Sequence, residues 1–594
     1  MSHFNKFQSL SGAYYDRMGR RKERVSTMWK KVLSVLLSAL MAALVCAGCK
    51  PDTTGITLAV DSIPVSADPV ISDSTAMSTI AANCYEGLVR IDENGNVQAG
   101  AADHWSISDD GLTYTFILRD GLTWHVPDAE SAETASKNPL GEEFIRNFPT
   151  AMTADDFVFG LQRAVSKNTN APGASRLFGI QNAEAIYNGK LPTRKLGVSA
   201  PNESSVRIKL SAPDSNFLYA LASPCAMPCS RAFFEATAGR YGLTPQLMLC
   251  NGPYYLSSMI AGGTTAVMAK NENYQGPFPG SVDTCTLRLA RETLMEDESD
   301  PLEITTDFAA DDGVLDGAIL SSEGASALSA LNDVSNYENI VHALVFNMGS
   351  DFSGNEDLRL ALATATDVSA LLENGTDAAE GLIPDCCHSV SGTVYRLAAG
   401  KAKGCPFNLK KAKKYYAAAL EKFEAAATKD EPAPTSFAIK FLCLQEDKAL
   451  AQSIVQNWQK VFGTSLSITI ESVESPEPLQ RALIAGDYDV AFTPLKCTEL
   501  VAASFLRQFS GDTDANIVHL ASDEYDELLR GAASSTDSGD ITRYCLAAEQ
   551  YLMKQGIVLP VSQQATALAV KKKTADGLRV LPTGDTYLIY NVKA

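Results

Sequence analysis

The stretch Asn83–Trp124 (NCYEGLVRIDENGNVQAGAADHWSISDDGLTYTFILRDGLTW) leaves little room for anything but short antiparallel strands. Leu88-Val-Arg-Ile91 runs into Asp92-Glu-Asn-Gly95, and Asn-Gly is the dipeptide that closes tight hairpins because both residues accept positive φ. Asp109-Asp-Gly111 marks a second turn and Arg119-Asp-Gly121 a third. Between them Leu112, Tyr114, Phe116 and Leu118 fall on alternate positions, the period of a strand with one buried face. Leu122-Thr-Trp124 then closes the meander.

The first 49 residues read as an address rather than a fold. Met28-Trp-Lys-Lys31 is a basic opening, and Val32 to Val45 is an apolar run of about 14 residues, too short to span a bilayer. Ala47-Gly48 precede Cys49, and the ending Val-Cys-Ala-Gly-Cys resembles a bacterial lipobox, with Cys46 where Leu is usual. Residues 1–48 are therefore expected to be a signal peptide, with Met28 a second possible start. Cys49 is expected to be the acylated new terminus, followed by a tether over 49–55. Such a lipid anchors a domain to the outer face of the membrane without spanning it.

Charge excludes one partner class. The chain's formal charge is −20, and residues 1–48 hold eight Lys/Arg against two Asp/Glu, which leaves −26 on the remainder. Nucleic acid, with its own dense negative charge, is not expected as a partner. At 45% hydrophobic and 594 residues the chain can fill more than one core. After Cys49 eleven cysteines are scattered from Cys84 to Cys545, an odd number without framework spacing. Cys225-x-x-x-Cys229 and Cys386-Cys387-His388 contain metal-ligand residue types, but neither has a second pair at finger-like spacing. Buried free thiols are expected, with no metal and no cofactor.

Further along, Thr153 begins a helix whose apolar face is Phe157, Leu161, Ala164 and Val165, with Asp155 and Asp156 at its positive end. Pro127–Pro149 before it is a polar excursion expected on the surface. A helix over Asn408–Ala427 presents Ala412, Tyr415, Ala419 and Phe423. Another over Asp447–Phe462 stops at Gly463 and leads into strand Leu466–Ile470. Helix alternating with strand argues an α/β lobe.

No catalytic constellation emerges. The chain has no G-x-S-x-G, no H-E-x-x-H and no phosphate loop. His104 and His125 are expected to be packed or exposed rather than catalytic bases, and Glu296–Asp300 a solvated acidic turn. Asp512-x-Asp514-x-Asn516 opens like a calcium loop but carries Ile517 where glycine is required.

The order of the meander's elements resembles the amino-terminal signature of the extracytoplasmic solute-binding lipoproteins of the oligopeptide/dipeptide ABC-importer family (solute-binding protein family 5, cluster C). There a Tyr-Glu-Gly-Leu element precedes an acidic turn, a W-x-x-x-D-x-x-x-Y-x-F-x-L-R strand pair and a closing Trp. Leu196–Asn202, Asn251-Gly-Pro-Tyr-Tyr-Leu256, Lys270-Asn-Glu-Asn-Tyr274, Val345-Phe-Asn-Met348 and Asp487-Tyr-Asp-Val-Ala491 extend the resemblance over essentially all of residues 56–594.

The resemblance implies a two-lobed α/β fold of the periplasmic-binding-protein type, with an extra subdomain and a ligand cleft between lobes. Lobe I would comprise 56–84, 196–290 and 564–594; the inserted subdomain 85–195; lobe III 291–563. It implies a monomer that captures extracellular peptides and delivers them to a membrane permease and its ATPase. Asp73, Thr75, Asn251 and Gly252 occupy positions where the family meets its ligand. An extended peptide needs backbone partners and a carboxylate for its ammonium. Here the chain departs from the family: Leu495 stands for the usual Trp and Thr498 for the usual Asp, with Glu499 one residue beyond and Lys496 nearby. The same fold holding a non-peptide solute, or serving as a surface sensor, remains the alternative, with an exported hydrolase behind both.

Overall fold

The computed structural model describes residues 54–72, 74–128, 138–292, 302–310, 312–330, 332–372, 377–389, 392–427, 437–463, 465–511, 513, 516–571 and 574–593. Residues 1–48, Cys49 and Asp73 lie outside the described residues, as do Asp512, Asp514 and the acidic turn Glu296–Asp300. No helix among the described residues is long and apolar enough to cross a membrane.

The meander folds as its spacing predicts. Val89–Ile91 pairs antiparallel with Val97–Ala99 around Gly95, whose φ of 80° is the left-handed conformation glycine takes without strain. The Asp92 carboxylate accepts from the backbone N–H groups of Asn94 and Asn96 and fixes the turn. Thr113–Leu118 buries Tyr114, Phe116 and Leu118 and leaves the alternate side chains half-exposed. It pairs with Ala102–Ile107 on one edge and Ser205–Lys209 on the other. Val198–Asn202 completes this four-stranded sheet. The pairing therefore carries the sheet beyond the expected subdomain boundary at 195, because Val206 and Ile208 supply its buried face.

A larger sheet runs through the rest of the molecule. Its strands lie in the order Leu466–Val473, Phe437–Leu444, Val490–Lys496, Asp333–Phe346, Val558–Val570, Gly317–Ser321, Gly55–Val60, Thr284–Arg291, Thr265–Lys270 and Tyr254–Met259. Phe437–Leu444 and Leu466–Val473 are parallel neighbours joined by the helix Lys448–Phe462, which ends at Gly463 with φ 80°. This is the helix-then-strand unit read from the sequence. The two long strands Asp333–Phe346 and Val558–Val570 pair antiparallel at the sheet's centre. One core draws on residues from Ile56 to Leu287 together with Leu568–Val592; two others draw on residues between Ala343 and Val561. The chain's end thus returns to its beginning. Asn83 donates to the Tyr587 carbonyl and accepts from the Ile589 N–H, and the Tyr587 hydroxyl donates to the Ala59 carbonyl.

Two expectations need correction. In the helix Leu409–Ala426 the buried stripe is wider than expected: Tyr416 is buried with Ala412 and Ala419, while Tyr415 and Phe423 pack half-buried against the same core. Tyr416 stacks on Phe462 with ring centroids 4.6 Å apart. The second correction concerns the excursion over Pro127–Pro149. Its second half folds as the helix Glu142–Asn147 and packs inward. Ile145 and Phe148 are buried, Phe148 meets Phe233 edge-on at 5.4 Å, and Asn138 donates to the Gln246 carbonyl. Three apolar residues, Phe144, Ile145 and Phe148, outweigh the segment's polar composition. Ile145→Val should therefore cost about 1 kcal/mol in a urea melt, the usual loss for one buried methylene, whereas Glu143→Gln should stay within about 0.5 kcal/mol. Equal, negligible effects would show that the helix does not pack.

Candidate functional site

A cavity of about 370 Å³ lies where the start of the first helix, the segment after Val490–Lys496 and the loop before Tyr587–Leu588 converge. Ser74 caps the helix Thr75–Cys84 by accepting from the Met77 N–H, as a serine at that position does. Thr75 and Ser78 thereby face the cavity. Thr498, Glu499, Leu500 and Val501 form the opposite wall, and Thr583, Asp585 and Thr586 close one end. Arg176 and Tyr219 also line it.

Of the sequence-derived candidates, the structure brings Thr75, Thr498 and Glu499 together and leaves Asn251, Gly252 and Leu495 out of the lining. The Thr75 hydroxyl donates to the Asp61 carboxylate at 3.0 Å. Asn251 is buried and spends its amide on the backbone of Glu86, accepting from its N–H and donating to its carbonyl. Gly252 lies so close to Asn83, Cys84 and Tyr85 that a Cβ there would sit 2.7 Å from the Asn83 carbonyl oxygen. Both residues hold the first helix against the strand Tyr254–Met259. Leu495 is buried in a core beside Cys497 and Val501, since alternation along Val490–Lys496 turns it inward and Lys496 outward. The Asn of Val345-Phe-Asn-Met348 is likewise structural, with Asn347 donating to the Gly486 and Tyr488 carbonyls.

Glu499 is the charge the sequence pointed to, and it is not alone. Its Oε1 accepts from Arg176 Nε at 3.2 Å, joining the short helical turn Ala174–Leu177 to the segment after Lys496. Both side chains remain more than a third exposed, so this pair adds little to stability. Asp585, the second carboxylate of the lining, accepts from the Thr583 and Thr586 hydroxyls. Arg176, Tyr219 and Asp585 were not legible as site residues; each sits in a turn or short helix with no motif of its own. Asp214, next to this region, has its carboxyl raised above the usual range by burial.

The histidines take no part in the lining. His104 is exposed and bonded to Asp103. His125 stacks on Tyr255 at 3.7 Å, and burial pulls it down to about 4; burial does the same to His342. Both are neutral in the fold and protonate near 6.5 when unfolded. Their contribution is present above about pH 6.5 and lost as pH falls toward 4, because the unfolded chain then binds protons the native chain cannot. Denaturation midpoints should fall across that window, and His125→Gln with His342→Gln should flatten the fall. An unchanged profile would contradict the burial assigned to both rings.

Among the described residues the cysteines are all free thiols, buried except for the half-buried Cys405. Cys225 and Cys229 turn to separate partners, the Gly173 carbonyl and Arg163. Cys386 and Cys387 instead meet Cys497, and these three are the group whose ligand atoms converge within reach of one ion.

Comparison with known proteins decides the family. The profile described as "Bacterial extracellular solute-binding proteins, family 5 Middle" matches residues 96–516. The chain belongs to this family. The dipeptide-binding protein of Lactococcus lactis is 23% identical over 577 residues, covering 95% of this chain and 98% of that protein. The probable deoxycholate-binding periplasmic protein YgiS of Escherichia coli is 26% identical over 518 residues, covering 84% and 86%. The fold matches that of Listeria monocytogenes OppA bound to peptide, with a TM-score of 0.64 at 21% identity, covering 91% of this chain and 99% of that one. It equally matches the substrate-binding domain of an oligopeptide ABC transporter from Bacillus anthracis, with a TM-score of 0.65 at 22% identity and the same coverage. The family 5 chain therefore has the two-lobed solute-binding fold expected from its sequence.

Proposed function

We propose that this family 5 protein is the ligand-capturing receptor of an ABC importer and that its ligand is a short peptide with free charged ends. The observation that carries this reading is the Arg176–Glu499 pair lining the cavity. A zwitterionic ligand can replace that pair with two of its own, its ammonium on Glu499 or Asp585 and its carboxylate on the Arg176 guanidinium, so that no charge is left unmatched when water is excluded. The cavity's volume of about 370 Å³ lies near the lower end of the range for small-ligand sites, about 300–1,000 Å³, which favours peptides of a few residues. Asp73 stays a candidate contact beside Thr75. In this reading the cleft binds and releases without reacting, and closure of the lobes presents the loaded form to a permease and its ATPase. Lobe I would comprise 55–84, 211–291 and the chain's end, with 85–210 inserted and the remainder forming lobe III.

Mass spectrometry of the small molecules released on denaturing protein purified from its native host tests the assignment. Short peptides are the expected cargo; one defined non-peptide solute contradicts it. That second reading draws support from the loss of the family's Trp and Asp at Leu495 and Thr498, and from similarity to a protein named for deoxycholate.

Anchoring is part of the proposal. Lipid on Cys49 would hold a monomeric receptor at the extracytoplasmic face of the cell membrane. Cys49→Ala should release the protein from membranes or leave its leader uncleaved. Normal cleavage with full membrane retention would contradict the anchor.

A further inference from the structure

Cys386, Cys387 and Cys497 place three buried sulfur atoms within 4.8 Å of one another. The Cys387 and Cys497 sulfurs are 3.3 Å apart, and the Cys497 thiol donates to the Glu499 carbonyl. The two segments that carry them are tied to the same step of one strand: the Cys386 N–H donates to the Glu338 carbonyl and the Cys497 N–H to the Asn339 carbonyl. On the far side the His388 N–H donates to the Leu500 carbonyl. Backbone bonds therefore bracket the trio at both ends, which is the preorganisation a ligand site needs.

We propose that Cys386, Cys387 and Cys497 bind one thiophilic d10 ion, Zn²⁺ or Cu⁺, as a three-sulfur site behind the cavity wall. The dimensions favour an ion over a disulfide. Metal–sulfur bonds of about 2.3 Å in a trigonal array put the sulfurs about 4.0 Å apart, inside the spread already present. A Cys387–Cys497 disulfide at about 2.05 Å would demand a larger closure and leave the third thiol idle. Soft thiolate donors select Cu⁺ and Zn²⁺ over hard cations. Cu⁺ is satisfied by three sulfurs, whereas Zn²⁺ needs a fourth donor but leaves less uncompensated charge in a buried site. The ion would brace Thr498–Val501, which line the cavity, from behind. The inference is independent of what the cavity binds.

Titration of the reduced, full-length protein tests it, with Zn²⁺ in one arm and Cu⁺ under anaerobic conditions in the other, each against a chromophoric chelator. Co²⁺ serves as a spectroscopic stand-in on the unmodified chain. One ion per chain and a sulfur-to-cobalt charge-transfer band are expected. Cys387→Ser and Cys497→Ser should each weaken binding by more than about tenfold, while Cys405→Ser leaves it unchanged. No ion held against the chelator in either arm would overturn the proposal, as would a charge-transfer band that survives Cys497→Ser. So would a Cys387–Cys497 disulfide that re-forms after reduction and excludes the ion.

Discussion

Glu499→Gln should weaken binding of a cognate short peptide by at least tenfold while leaving the melting of the empty protein almost unmoved. The two halves of this expectation have different causes. In the empty protein Glu499 is partly exposed and its partner Arg176 equally so, and an ion pair of that kind contributes about 0–1 kcal/mol. In the closed, loaded cleft the same carboxylate would face a desolvated ammonium, and losing one member of such a pair costs about 2–5 kcal/mol. That range corresponds to some 30-fold to several thousand-fold in affinity. Asp585→Asn is the companion variant, since Asp585 is the other carboxylate of the lining. Asp73→Asn is a third. Normal affinity in all three would place the amino-terminal anchor elsewhere.

The largest effect on stability is expected away from the cleft, at Arg396. Its guanidinium reaches both oxygens of Glu549, at 2.6 and 3.2 Å, and Glu549 is fully buried. The same carboxylate accepts from the backbone N–H of Leu382 and of Ile383 and from the Tyr395 hydroxyl. Five bonds converge on one side chain, so the pair is nearly satisfied despite its burial. Arg396→Met removes the only cation in that set and strands the charge, which typically costs about 3–5 kcal/mol. Replacing both partners, Arg396→Met with Glu549→Leu, should recover part of the loss, because no buried charge is then stranded, although the Leu382 and Ile383 N–H groups and the Tyr395 hydroxyl lose their acceptor. Urea midpoints for the two single variants and the double variant decide the point. Additive losses would mean the two side chains do not act as a unit.

What was legible in the sequence was mostly local. The Asn-Gly turn, the alternation of Tyr114, Phe116 and Leu118, and the helix from Lys448 stopped by Gly463 follow from a few neighbouring residues. Thr153 and Asp156 announce the start of the helix Ala154–Ala164, where the carboxylate accepts from the Thr153 N–H. Phe144, Ile145 and Phe148 already carried a helical spacing, but the polar residues around them hid it. The partner that decided the matter, Phe233, is far away in the chain. The limit is sharper at the site. Glu499 was found because the family's pattern pointed at its neighbourhood, yet Arg176, 323 positions earlier, could not be paired with it from sequence. Leu495 and Asn251 matched family positions, and core packing and backbone hydrogen bonds account for where they lie. The thiol trio joins residues 110 positions apart, brought together by the pairing of both segments to Glu338–Asn339 and by the bond from the His388 N–H to the Leu500 carbonyl.

Calorimetric titration of the purified protein with free di- and tripeptides, their N-acetylated forms and deoxycholate tests the central claim most directly. Free peptides should bind, with N-acetylation costing at least about tenfold because it removes the charge that Glu499 or Asp585 would meet. Deoxycholate should not bind. Binding of deoxycholate with no response to any peptide, or equal affinity for free and acetylated peptides, would contradict it.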